Sequence, residues 1–129
     1  MKKFRNPENI HGPVAGYTHQ IEVSGEKRWL VLSGQLGKEE NGVLPEDPIK
    51  QMELAMENII RNLQAANMEV EDLVKLVFYL VGDFDKMKRG EVITKALKDH
   101  KPCMTMIYVA SLADPSFKVE IDAWACSDN

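Results

Sequence analysis

Residues 73–81, LVKLVFYLV, are almost continuously apolar and rich in β-forming side chains. A run of that length reads as a central strand covered on both faces rather than one with a wet side. Such a strand demands a layer above it and a layer below it. Helical patterns flank it and supply one layer. Asp47-Pro48 opens the first helix. Aspartate can accept hydrogen bonds from free backbone amides, and proline lacks a donor that the first turn would leave unsatisfied. Ile49, Met52, Met56, Ile59, Ile60 and Leu63 then recur at helical spacing as far as Ala66-Asn67. The methionines read as core filler. A second amphipathic helix is predicted over residues 83–100, with Phe84, Met87, Val92, Ile93 and Leu97 on its apolar side and Gly90 weakening it.

The rest of the chain reads as strands and loops. Residues 1–16 contain Asn6-Pro7, Gly12-Pro13 and Gly16 without periodicity, which predicts an irregular N-terminal arm. Residues 17–23 (YTHQIEV) and 28–33 (RWLVLS) read as a hairpin around Ser24-Gly25-Glu26-Lys27, and a glycine-rich loop follows over 34–45. Residues 103–110 and 117–126 read as two closing strands joined by a loop with Asp114-Pro115. The order ββαβαββ predicts an α+β sandwich, a mixed sheet with both helices on one face. The other face then has no cover of its own, although Val77, Met104 or Met106, and the apolar half of other strands need one. An oligomer that packs sheet faces together is the economical solution.

Composition narrows the function. A chain of 129 residues fits one domain over 1–129, able to bury a core without metals or disulfides. Sixteen basic against twenty acidic residues argue against a nucleic-acid partner. Two cysteines, Cys103 and Cys126, are too few for a disulfide scaffold, and no apolar stretch reaches membrane-spanning length or follows the basic N-terminus as a secretion signal would require. The expected setting is a reducing compartment, the cytoplasm, with the mitochondrion left open. Free thiols are the default there, with an occasional Cys103–Cys126 disulfide only if the last two strands pair. His11, His19 and His100 are scattered, so no metal is expected, and SGQLGKEENG lacks the lysine and spacing of a phosphate loop.

Three local features could carry chemistry. Tyr17 places a phenol at a strand start, where packing with a wet hydroxyl is the bland reading. Ser33-Gly34-Gln35 ends a strand with a glycine that lets a ligand approach the backbone, though an ordinary tight exit would look the same. In FKVEIDAWA, 117–125, alternation puts Val119, Ile121, Ala123 and Ala125 on one side and Lys118, Glu120, Asp122 and Trp124 on the other. On an exposed face that carboxylate pair is silent; in a pocket one of them could orient or activate water.

GPVAGY at 12–17, VLSGQLG at 31–37, the helix-to-strand run AMENIIRNLQAANMEVEDLVKLVFYL at 55–80 and VEIDAWA at 119–125 together resemble the Rid family, the reactive intermediate deaminases also called YjgF or L-PSP-type proteins. The resemblance covers residues 12–126. It implies a chorismate-mutase-like α+β fold with a six-stranded mixed sheet and two helices packed on one face. It also implies a homotrimer with small-molecule sites between neighbouring subunits, and hydrolysis of enamines and imines to a keto acid and ammonia without a cofactor. Tyr17 and Glu120 match the family's catalytic positions, Glu120 as the carboxylate that positions water. Ser33, Gly34, Met104 and Thr105 match its ligand-binding positions. Deaminating members read P-x-R-[ST] where this chain reads Pro102-Cys103-Met104-Thr105, so Met104 takes the place of an arginine that clamps the substrate carboxylate. Loss of two charge-assisted hydrogen bonds argues against a standard 2-imino acid and for a neutral or cationic ligand. The alternative is that Arg28, Lys75 or Arg89 supplies the charge. A non-catalytic binding trimer is the second reading, and an endoribonuclease or translation inhibitor the weakest.

Overall fold

The computed structural model describes residues 1–128. Its elements are β1 (Lys2–Arg5), β2 (Gln20–Val23), β3 (Arg28–Val31), β4 (Gln35–Leu36), α1 (Pro48–Ala65), β5 (Leu73–Leu80), α2 (Lys86–Leu97), β6 (Cys103–Tyr108) and β7 (Val119–Ser127). Both helices begin as their sequences require. The Asp47 carboxylate accepts from the Ile49 amide and Asp85 from Lys88, so each helix start has a side-chain cap. At its end α1 gives way to Asn67 at φ 55°, a left-handed residue that turns the chain back.

The main sheet has the order β3-β7-β5-β6, with β4 also pairing β7. β5 runs antiparallel to β7 and parallel to β6, the pair that α2 connects. The expected architecture, an α+β fold with a mixed sheet and two helices on one face, is present. The strands differ in detail. Five strands make the main sheet and two more, β1 and β2, form a separate ribbon, where six strands in one sheet were expected. β2 pairs with β1 and not with β3, so the predicted hairpin is absent, and Lys2–Arg5 are a strand within the arm read as irregular. β6 and β7 lie on opposite sides of β5, and Cys103 and Cys126 are free thiols.

The core lies between α1, α2 and one sheet face. Leu76, Phe78 and Leu80 of β5 and Val119, Ile121, Ala123 and Ala125 of β7 meet Met52, Ala55, Met56, Ile59 and Leu63 of α1. Cross-strand register places Met104 and Met106 on this helix-covered side, beside Leu76 and Phe78. Val77 lies on the other side, with Lys75, Tyr79, Thr105, Glu120, Asp122 and Trp124. Among the described residues, no layer covers that second face. Trp29 (55 % exposed), Val31 (65 %) and Ile107 (41 %) stand open on it. β5 is therefore central in the sheet but covered on one face only.

Candidate functional site

Tyr17 owes its position to the next residue. The buried Thr18 hydroxyl donates to the Lys101 carbonyl, and the Thr18 amide donates to the Pro102 carbonyl at 3.2 Å. These bonds tie the segment before β2 to the segment before β6. Tyr17 and Met104 consequently line one cavity of about 520 Å³, between β6 and α2. The Tyr17 hydroxyl accepts from the Val14 amide at 3.2 Å and keeps its own proton to donate. Met104, Met106, Ile93 and Leu97 give the cavity an apolar wall, and Lys86, Arg89, His100 and Lys101 give it a basic one. His100 is oriented through Nε2, 2.7 Å from the Leu73 carbonyl oxygen.

Glu120, Ser33 and Gly34 lie elsewhere. Glu120 is on the open sheet face, half-buried, and its carboxylate has no hydrogen-bond partner among the described residues. Its carboxylate crosses Gly34 so closely that a Cβ there would meet Glu120 Oε2 at 2.0 Å and Cγ at 2.7 Å. Gly34 is thus a glycine for clearance. It falls where β3 and β4 break: Val31 opposes Trp124 and Gln35 opposes Ile121, four steps against three, so one residue bulges out. The exposed Ser33 sits in that bulge. Thr105 is on the open face too, accepting from Lys75 Nζ at 2.9 Å, and its neighbour Met104 points to the opposite side of β6. The one chain therefore brings Tyr17 together with Met104, and Glu120 with Gly34, and does not join the two sets.

The other carboxylate of the alternating strand has a partner. Tyr79 Oη donates to Asp122 Oδ2 at 3.1 Å. That hydrogen bond, with burial and the charges of Asp122 and Glu120, raises the Tyr79 pKa above the ordinary phenol value. Burial likewise pushes the Cys103 thiol up, against the pull of Lys75. Among the described residues no three His, Cys, Asp or Glu side chains gather as a metal site would require. None of their helices is long and apolar enough to cross a membrane.

A sequence model described as Endoribonuclease L-PSP matches residues 8–127. The chain belongs to this family, the Rid proteins. The Rid relatives match along almost their whole length. A RutC family protein of Aquifex aeolicus is 32% identical over 116 residues, covering 87% of this chain and 89% of the relative. TdcF of Escherichia coli, whose name includes the words "reactive intermediate deaminase", is 26% identical over 129 residues, covering 97% of each. Among solved structures, the Rid protein YyfB of Yersinia pestis superposes with a TM-score of 0.84 at 27% identity, covering 97% of this chain and 98% of that one.

Sequence reasoning offered Arg89 as one of three substitute cations but did not place the rest of α2 along the cavity of this Rid chain. The signal was present. Lys86, Lys88 and Arg89 fill the first turn of a helix with no acid among them, the reverse of what a helix start favours. Gly90 was read as weakening the helix, yet it also lines the cavity.

Proposed function

We propose that this Rid-family chain hydrolyses an imine or enamine metabolite and works as a homotrimer whose sites are completed between neighbouring copies. The observation that carries the reading is the division of the site residues. The Glu120 carboxylate stands free on an uncovered sheet face, and Tyr17 and Met104 flank a cavity beside β6, which among the described residues pairs with β5 alone and is the sheet's edge. A free carboxylate on an apolar, uncovered surface is what a neighbouring copy would enclose. Packing one copy's open face over the next copy's β6 edge puts a proton acceptor at the mouth of a cavity that lacks one. The name of the relative TdcF points to the same chemistry.

In this reading Glu120 accepts a proton from water as the water oxygen attacks the carbon of a C=N bond. Glu120 passes that proton to the nitrogen, giving a neutral carbinolamine; as this collapses to a carbonyl, Glu120 carries the hydroxyl proton to the nitrogen, which leaves as ammonia. Water and imine are consumed; a carbonyl compound and ammonia are formed. Tyr17 and Ser33 donate hydrogen bonds to the ligand, and Met104 gives it an apolar contact. Because Met104 cannot hold a carboxylate from β6, the substrate is distinct from a standard 2-imino acid bound in that manner. Ammonia release from freshly generated imines, 2-iminobutanoate included, tests the reading. Glu120→Gln is expected to lower it by about a hundredfold or more. Release that is indifferent to this change in an intact oligomer would overturn the assignment.

A further inference from the structure

The cavity between β6 and α2 is charged on one side only. Lys86, Arg89, Lys98, Lys101 and His100 line it, and no aspartate or glutamate does. None of these lysines or the arginine forms an ion pair among the described residues. Lys86 and Arg89 also stand in the first turn of α2, where the helix dipole already presents positive charge. Asp85 caps this helix start, but neither it nor any other carboxylate lines the cavity side of it. Gly90 adds an independent sign. It lies in a helix interior, where glycine is disfavoured, without a positive φ, and a Cβ added there meets nothing within 4 Å. Neither backbone nor packing calls for glycine at this position. The result is open room beside Arg89 on the cavity wall.

Three cations were candidates to replace the clamp that Met104 cannot provide, and their placement separates them. Arg28 donates to the Ala66 carbonyl at 3.0 Å, behind α1. Lys75 donates to Thr105 on the open sheet face. Arg89 is half-buried in the cavity wall, with Nη1 donating to Tyr108 Oη at 2.8 Å and its guanidinium 5.9 Å from the centre of that ring. Its remaining donors have no partner among the described residues. We propose that Arg89, steadied by Tyr108, is the specificity-determining residue of this cavity and selects a ligand with an oxyanion at one end and an apolar chain at the other. The oxyanion lies against α2 rather than β6, and the chain lies along Met104, Met106 and Ile93. The inference rests on reading the cavity as the ligand half of the proposed site. It replaces the expectation of a neutral or cationic ligand.

Titration calorimetry on the full-length protein with hexanoate, hexyl phosphate, hexanamide and hexylammonium tests this. Hexanoate or hexyl phosphate is expected to bind about tenfold or more tightly than the amide or the ammonium, and the tighter of the two anions names the headgroup. Arg89→Gln should erase the difference, and Arg89→Lys should restore part of it. Gly90→Leu, which fills the space beside Arg89, should block both anions and leaves the guanidinium in place if Arg89→Gln does not fold. Equal binding of hexanamide, or anion binding indifferent to Arg89→Gln and Gly90→Leu, overturns the proposal. The two readings fail separately. Arg89-dependent anion binding without imine turnover sinks only the hydrolase. Glu120-dependent turnover of a carboxylate-bearing imine, with KM unchanged in Arg89→Gln, sinks only the anion site.

Discussion

Gly34 has no side chain because Glu120 uses the space. A methyl group there would overlap the Glu120 carboxylate and its Cγ, and the flexible acid rather than the backbone would give way. Gly34→Ala is therefore expected to lower Glu120-dependent turnover by about a hundredfold, the cost of a misplacement near 1 Å. Its folding free energy should stay within about 0.5 kcal/mol of wild type, since Gly34 has no positive φ to lose. Imine turnover and urea unfolding of the same variant check both halves; a stability loss with turnover intact would reverse the assignment. Tyr79 permits a test by pH. Its raised pKa means the folded chain holds this proton more tightly than the unfolded chain. The Tyr79–Asp122 contribution to stability is thus complete below the ordinary phenol pKa, about 10, and is lost as pH rises through the higher folded value. Phenolate absorbance should show one tyrosine titrating late, and Asp122→Asn should bring it back toward the others. Period-two alternation was enough to place Glu120 and Asp122 on one face, and the same rule separates the adjacent Met104 and Thr105. It could not say which acid is free. That depends on register: Tyr79 stands opposite Glu120, but its hydroxyl reaches the diagonal neighbour, Asp122.

At the scale of elements, the start of α1 and the central place of β5 were legible because their causes are local, whereas α2 begins at Lys86 rather than 83 and β5 is covered on one face rather than two. A capping aspartate with proline, apolar spacing of three and four, and an unbroken β-forming run each act within a few residues. Strand partners were not legible. β2 takes β1 from residues 2–5, a charged segment (KKFR) with no apolar alternation to announce it. β4 lies inside the glycine-rich loop, where Gly37 allows contact that no other residue would: a Cβ at Gly37 would come within 2.2 Å of the Gln51 carbonyl oxygen in α1. Gln51 is the buried polar residue that holds this corner. Its Nε2 donates to the Pro45 carbonyl at 2.8 Å and the Ser116 carbonyl at 3.1 Å, and its Oε1 accepts from the Lys118 amide at 2.8 Å. These bonds join the entry of α1 to the approach of β7, and so to the strand that presents Glu120. Gln51→Leu removes all three and leaves the backbone groups without a partner. It should cost about 2–4 kcal/mol in urea unfolding. Gln51→Glu keeps the acceptor but turns a carboxylate toward two carbonyl oxygens, so its stability should fall further as pH rises and the acid ionises.

At the scale of the whole molecule, the two groups of residues in the proposed site lie apart in one chain. The cavity of Tyr17 and Arg89 has donors and cations but no acid, and the Glu120 face has an acid but no enclosure. A sheet face that stays in water alternates its apolar residues inward and leaves polar ones outside. Instead Trp29, Val31, Val77, Ile107 and Trp124 spread across three of its strands and β5 between them, with Lys75, Tyr79, Thr105 and the two carboxylates as the polar groups among them. Burying an aliphatic side chain of this kind contributes about 1.5–3 kcal/mol, so several of them together favour association strongly. Val77 is the sharpest probe. It stands mid-strand on the open face, away from the cavity and from Gly34, and its partners in register are Thr105 and Asp122. Val77→Glu adds a third carboxylate beside Asp122 and Glu120 and is expected to hold the protein as a monomer in light scattering. Far-UV dichroism should keep its helical signal, because the helix-side core is untouched. Turnover should vanish with the trimer, although Glu120, Tyr17 and Arg89 are all still present. Mixing Glu120→Gln subunits with Tyr17→Phe subunits separates assembly from chemistry: activity in mixed trimers that neither variant shows alone would show that the acid and the cavity come from different copies. A Val77→Glu monomer with full turnover would instead place the whole site within one chain.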